Sequence, residues 1–358
     1  MMTDRIEASG HSADIVRAAF EIQAAYCDAN QAPITAQICS ALAGGLSAAT
    51  ETGRVVLGWT GNAVADGLVL RLVGGVHDLW LTGDAPELDG LFKGEARADD
   101  MLPIVAAFLE RQDAALLPWL DSPPQTNEPG RSASLMTGLL HLAARHGGRM
   151  EIIEIGSSAG LNLLIDRFHM DLGGVKVGPE NSTVQITPEW RGSPPPHTLP
   201  DILSVRGSDI QPMDATRPAN ERRLLAYIWQ DHPARFERVA KAIAMQRERA
   251  VDLVKADAAY WVEAQLALPQ DDGVMRVLMH SIMWQYMDEP RQRRITQAME
   301  AAGAKATPDR PLGWVAVEAN RNLSRHDIVI RSWPGHGEPM LIGHAHAHGF
   351  WVEHSPPA

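Results

Sequence analysis

A run of small residues, Gly156-Ser157-Ser158-Ala159-Gly160, follows Glu154-Ile155 and precedes Leu161-Asn162-Leu163. Glycine and serine let a chain turn tightly and bring its backbone close to a ligand. A helix opening at Ala159 would then offer unpaired N–H groups to an anion or polar tail. The same run reads Gly-x-Ser-x-Gly, the strand–turn–helix elbow in which Ser158 would attack an acyl carbon with a later histidine as base. Further along stands His280-Ser281-Ile282-Met283-Trp284-Gln285-Tyr286. An unperturbed histidine titrates near ~6.5, which suits His280 to proton transfer. His344, His346 and His348 alternate. On a strand they would share one face at ~7 Å spacing, to hold a metal with Glu353 or His354, to face a substrate, or to be solvated. Upstream, Gln125-Thr126-Asn127-Glu128-Pro129-Gly130-Arg131 is dense in donors and acceptors. Arg131 can clamp a carboxylate bidentately, and Asn127 and Glu128 serve equally as caps of a helix opening near Ser132.

These residues need elements to hold them. The first ~150 residues read as helices. Ile15, Ala19, Ile22 and Tyr26 form a stripe at helical spacing, as do Leu68, Leu72, Val76 and Trp80, then Val105, Phe108, Leu109 and Leu116, then Leu135, Leu139, Leu142 and Arg145 before a Gly147-Gly148 stop. From Glu151 the pattern changes. Strands are expected over 151–155, 202–205, 274–279, 312–317, 327–333 and 340–344, with helices over 159–168, 220–230, 233–254 and 290–302. Such alternation implies a mainly parallel sheet, and the short loop from Pro334 to Pro339 closes a terminal antiparallel hairpin. Residues 169–200 are Pro/Gly-rich and read as an insertion over the sheet edge. The expectation is an α/β protein with a doubly wound, seven-stranded, Rossmann-like sheet. Residues 1–148 would form a helical lid and substrate region, and residues 149–358 the Rossmann-like domain. His280 then follows a central strand at its carboxyl end, the ligand face of such sheets. Arg131, His280, Trp284, Tyr286 and His346 are expected to line one pocket beside Gly156.

The chain has 358 residues and a net charge of −12, from 32 Lys+Arg and 44 Asp+Glu, which disfavours a nucleic-acid partner. Its only cysteines, Cys27 and Cys39, provide no disulfide framework or CxxC pair and read as buried small apolar groups. The N-terminus lacks an apolar secretory stretch, and no apolar run reaches the ~18–20 residues of a membrane span. A soluble, cytoplasmic protein with a small-molecule substrate is expected.

The loop and its downstream spacing resemble class I S-adenosylmethionine-dependent methyltransferases. Glu154, Gly156 and Gly160 match the acid and outer glycines of their first motif, with Ser158 at the middle glycine. The resemblance implies S-adenosylmethionine held by Glu154, Gly156, Ser157, Ser158, Gly160 and Asn162, with no metal. It places Asp209, in Ile202-Leu203-Ser204-Val205-Arg206-Gly207-Ser208-Asp209, on the ribose, and Asp257, in Lys255-Ala256-Asp257-Ala258, by the adenine. Under a methyltransferase reading, His280, Arg131 and Tyr286 are expected to be catalytic, and Asn127, Glu128, Trp284, Gln285, His346 and His348 to contact the substrate. The loop after the fourth strand lacks the Asp/Asn-Pro-Pro-aromatic sequence of amino-group methyltransferases. A non-catalytic metabolite- or partner-binding protein therefore stays open as an alternative, as does a hydrolase using Ser158. Over nearly its whole length the chain also resembles the bacterial family named domain of unknown function 2332. That likeness rests on Gln125-Thr126-Asn127-Glu128-x-Gly130-Arg131, the Glu-Ile-Gly-Ser-Ser-Ala-Gly-Leu-Asn-Leu-Leu run, His280-Ser281-x-x-Trp284-Gln285-Tyr286 and His346-x-His348-Gly349.

Overall fold

The computed structural model describes residues 2–320, 323 and 325–356. The chain divides into two compact units, one of Met1–Thr126 with Pro218–Phe236, the other of Asn127–Arg217 with Glu237–Ala358. This division differs from a boundary at residue 148: residues 127–148 belong with the sheet, and a later segment belongs with the helices.

The first unit is helical, with no strand among its described residues. Its first helix, Met2–Ala29, buries Val16, Ala19, Phe20, Ala24 and Cys27, while Ile15, Ile22 and Tyr26 are exposed. The stripe is rotated from the expected one because the fully buried Phe20 sets the face that meets helix Pro33–Gly45. Leu68, Leu72 and Val76, and Val105, Phe108, Leu109 and Leu116, are buried as their spacing requires. Segment Pro218–Phe236 joins this unit through polar contacts. Ala32, at the start of helix Pro33–Gly45, has no side chain to cap it. The Asp231 carboxylate does so instead, accepting from Ile34 N at 2.7 Å, Thr35 N at 3.0 Å and Thr35 Oγ1 at 2.6 Å. Arg222 forks onto Asp78 at 3.0 and 2.5 Å, and His77 Nδ1 bonds the Ala226 carbonyl at 3.0 Å.

The second unit holds the strands: β1 (Arg149–Ile155), β2 (His169–Leu172), β3 (Val175–Val177), β4 (Gln185–Ile186), β5 (Glu189–Gly192), β6 (Asp201–Asp209), β7 (Asp252–Lys255), β8 (Met275–Ser281), β9 (Leu312–Asn320), β10 (Arg325–Trp333), β11 (Met340–Ala345) and β12 (Trp351–His354). The main sheet has nine strands rather than seven, in the order β5-β12-β11-β10-β9-β8-β1-β6-β7. From β7 to β9 the neighbours are parallel. β9, β10, β11 and β12 then form an antiparallel meander. The 169–200 stretch is not structureless. It forms the small sheet β3-β2-β4 and sends β5 parallel onto β12, with Glu189 opposite Trp351.

Two expected helices change character. Residues 159–168 form only a short 3-10 turn, Leu161–Leu164. Leu161, Asn162, Leu163, Leu164 and Ile165 are all buried, so the segment has no polar face for a surface helix. The helix expected over 233–254 stops at Glu248, and residues 252–255 pair with β6 as the edge strand β7. Helix Ser132–His146 lies on one sheet face and ends at Gly147 in a positive-φ conformation. A Cβ on its Gly138 would stand 2.5 Å from Val315 Cγ1, so the glycine sets the helix–sheet spacing. On the other face, Trp261, Ile295 and Met299 from helices Ala258–Leu266 and Glu289–Gly303 pack with Ile153, Leu278, Trp314 and Trp333. Among the described residues no helix is long and apolar enough to cross a membrane.

Asp231→Ala removes a cap that serves two backbone N–H groups of a helix far away in sequence. Urea denaturation is expected to show a loss of about 1–3 kcal/mol, with Asp231→Asn losing less.

Candidate functional site

The order of the parallel strands reverses between β1 and β8. In open sheets, the crevice beyond the carboxyl ends of such a pair is where ligands bind. The chain leaving β1 turns through Gly156, Ser158 and Gly160 at φ of 68°, 54° and 77°. A Cβ on Gly156 would stand 2.7 Å from Met283 Cβ, so only glycine lets the loop after β8 lie against it. The turn is pinned by groups from four other places. Ser158 N donates to Asp209 Oδ2 at 2.8 Å, and Leu161 N to Asn127 Oδ1 at 2.7 Å. Gln246 Nε2 donates to the Ala159 carbonyl at 2.8 Å, and Ser132 Oγ to Asn162 Oδ1 at 2.9 Å. Asn127 and Asn162 thus hold the loop by their side chains. Ser157, fully buried, donates its hydroxyl to the Glu154 carbonyl.

Glu154 is 2% exposed, and its Oε2 has no hydrogen-bond partner among the described residues. Burial pushes its carboxyl up to about 7; the neighbouring Ser157 hydroxyl opposes this, Asp209 adds to it, and Arg131 pulls it back. Ser158 Oγ is likewise buried and has no hydrogen-bond partner, a histidine included, among the described residues.

The predicted polar run Asn127 to Arg131 meets the C-terminal turn. Arg131 is 8% exposed and donates from Nε to the Ala347 carbonyl at 2.9 Å. A Cβ on Gly349, at φ 70°, would overlap the Gly130 carbonyl, so the two loops touch through glycine. Glu128 faces no crevice: its Oε1 accepts from Gly130 N at 2.8 Å and from Arg238 Nε and Nη2 at 3.0 and 2.8 Å. The three alternating histidines do not share a strand face, because β11 ends at Ala345. His344 bonds Asp327 across the sheet at 2.8 Å. His346 lies in the turn, stacked on Phe350 at 4.6 Å, and its Nδ1 accepts from His348 N at 3.1 Å. Among the described residues no three His, Cys, Asp or Glu side chains gather as metal ligands.

His280 sits at the carboxyl end of β8 but is enclosed, at 1% exposure. Trp314 Nε1, which can only donate, bonds its Nε2 at 2.9 Å, so the ring proton sits on Nδ1 and goes to Glu318 Oε1 at 2.7 Å. Trp284 stacks on the ring at 5.0 Å. Both ring nitrogens are thereby taken, and His280 orients Glu318 rather than facing a substrate. Tyr286 is 77% exposed and Gln285 is also exposed, so neither is enclosed with His280 and Trp314. Asp257 caps helix Ala258–Leu266 and pairs with Arg291 at 2.7 Å. Burial raises its carboxyl, but the Arg291 bond and the amides outweigh this and hold it below the usual range. These duties account for Asp257 without a ligand. Asp209 holds Ser158 N and also accepts from Gln211 N at 2.8 Å.

Glu318 escaped the sequence reading, which ended its strand at residue 317. The available signal was the alternation Trp314, Ala316, Glu318, which puts a carboxylate on the face of His280's neighbour, Ala316.

Fold and site together define a mixed α/β protein in which, among the described residues, buried carboxylate oxygens without a hydrogen-bond partner stand at the carboxyl ends of the central strands. Residues 17–354 match the family described as "Uncharacterized protein conserved in bacteria (DUF2332)", and the chain belongs to that family. No curated protein and no solved structure matches it.

Glu154 makes stability depend on pH. The unfolded chain ionises this carboxyl near ~4.5, whereas the folded chain holds the proton to about 7. Folding therefore weakens as pH rises between those values, by up to about 3 kcal/mol. Glu154→Gln is expected to raise the melting temperature at pH 8 and to change it little at pH 4.5.

Proposed function

We propose that the protein is an S-adenosylmethionine-dependent methyltransferase acting on a small molecule, built on a Rossmann-like methyltransferase core. The observation that carries this reading is the buried, partnerless Oε2 of Glu154 beside the Gly156–Gly160 turn. An enclosed carboxyl without a partner has a large penalty to recover when a cationic donor arrives. The ammonium group of S-adenosylmethionine is such a donor, and it would leave Glu154 ionised. Ser158 Oγ, also partnerless, suits the methionine carboxylate. Asp209 accepts one N–H on each oxygen and keeps lone pairs for ribose hydroxyls. Arg131 and the half-buried ring of Trp284 border the crevice on the substrate side in this reading.

When bound, the cofactor supplies an electrophilic methyl group on a sulfonium. The chain's own work is then to align a nucleophile, hold its polar hydrogen and exclude water.

Calorimetry with S-adenosylmethionine and S-adenosylhomocysteine tests the reading. Wild type is expected to bind both. Glu154→Gln is expected to bind about tenfold more weakly. Gly160→Val, which forces a branched side chain into a left-handed position against Val251 and Leu253, is expected to abolish binding. A wild-type protein that binds neither compound overturns it.

A further inference from the structure

Glu318 stands at the carboxyl end of β9, and one of its oxygens is fixed. Oε1 receives His280 Nδ1–H at 2.7 Å and Met283 N–H at 3.2 Å. His280 cannot swing away, because Trp314 Nε1 holds its other nitrogen and Trp284 covers its face. The second oxygen, Oε2, is buried and has no partner among the described residues. Met283, which supplies one of the two bonds to Oε1, is also the residue pressed against Gly156. Glu318 is thus tied through a single residue to the turn after β1. The loop between them is strained: Ile282 adopts φ 52°, an outlier for a β-branched side chain, and its N–H is held by the Val317 carbonyl at 3.0 Å. Backbone held in such a state by its surroundings concentrates where a group must be aimed.

We infer that Glu318 Oε2 is the hydrogen-bond acceptor for the methyl-accepting group of the substrate, with His280 as its positioning residue; this rests on the methyltransferase reading above. The substrate class follows from the chemistry of an aimed carboxylate. It accepts from an O–H, an N–H or an ammonium, and it repels another carboxylate. The acceptor substrate is therefore an amine or hydroxyl compound rather than one methylated on a carboxylate.

Sinefungin provides a probe that needs no substrate, because it carries an ammonium group where S-adenosylmethionine carries its methyl. S-adenosylhomocysteine lacks any group there. Calorimetry on the full chain is expected to show sinefungin binding about tenfold tighter than S-adenosylhomocysteine. In Glu318→Gln the two affinities are expected to converge, with that for S-adenosylhomocysteine unchanged. His280→Asn keeps a donor toward Glu318 and is expected to retain most of the preference. His280→Leu is expected to lose it without loss of S-adenosylhomocysteine binding, which a merely structural role would not produce. If wild type binds S-adenosylhomocysteine but Glu318→Gln keeps the sinefungin preference, the Glu318 assignment fails and the methyltransferase reading stands. If wild type binds neither, the reading itself fails. Should Glu318→Gln not fold, as judged by circular dichroism, the two His280 variants decide, and equal preference in both overturns the inference.

Discussion

Three left-handed residues within five leave the chain from Gly156 to Gly160 unable to satisfy its backbone within a helix or a strand. Every other feature of the crevice depends on how that deficit is met. The donors and acceptors come from Asp209 at the end of β6, Asn127 before the Ser132–His146 helix, and Gln246 before β7. Each is a side chain reaching a backbone group, an arrangement that fixes a turn without regular structure. The loop after β8 meets the same turn at the Gly156–Met283 contact. Moving any one of these segments leaves a buried N–H or carbonyl unpaired, so the crevice is set as a unit.

Two buried glutamates in this unit mark the difference between structure and function. Glu128 is enclosed but bonded by Gly130 N and by both Nε and Nη2 of Arg238, so its charge is compensated. Glu154 is equally enclosed, yet one oxygen has no partner and its proton is retained to about 7. Nothing in packing requires an ionisable group there; an isosteric amide would fill the space. A residue kept at such a disadvantage points to a ligand that resolves it.

Much of the sheet was legible because its central strands are short apolar runs between turn residues: Ile152, Ile153 and Ile155 of β1, and Val277, Leu278 and Met279 of β8, are buried on both faces. The terminal hairpin followed from its short Pro/Gly loop. β7 was hidden because an edge strand of Asp252-Leu253-Val254-Lys255 reads as a continuation of the helix before it. The turn at Leu161–Leu164 was misread because a stretch buried on every side has no periodicity to interpret. In the candidate site, Arg131 meets the turn after β11 through the Ala347 carbonyl, and Gly349 lies against Gly130. The partners of His280 were not legible, since sequence spacing cannot show that Trp314 and Glu318 occupy both its nitrogens.

The helical unit is interrupted in sequence: Asp231, Arg222 and Ala226 return to it after the chain has built β1 to β6 elsewhere. Contacts that span so many residues carry a loop-closure cost and slow the search for them. On a ribosome, the first helices emerge long before the segment that caps helix Pro33–Gly45 exists. The helical unit cannot complete these contacts until Phe236 has been synthesised, which places the interval in which its apolar surface is left uncovered in the middle of translation rather than at its end.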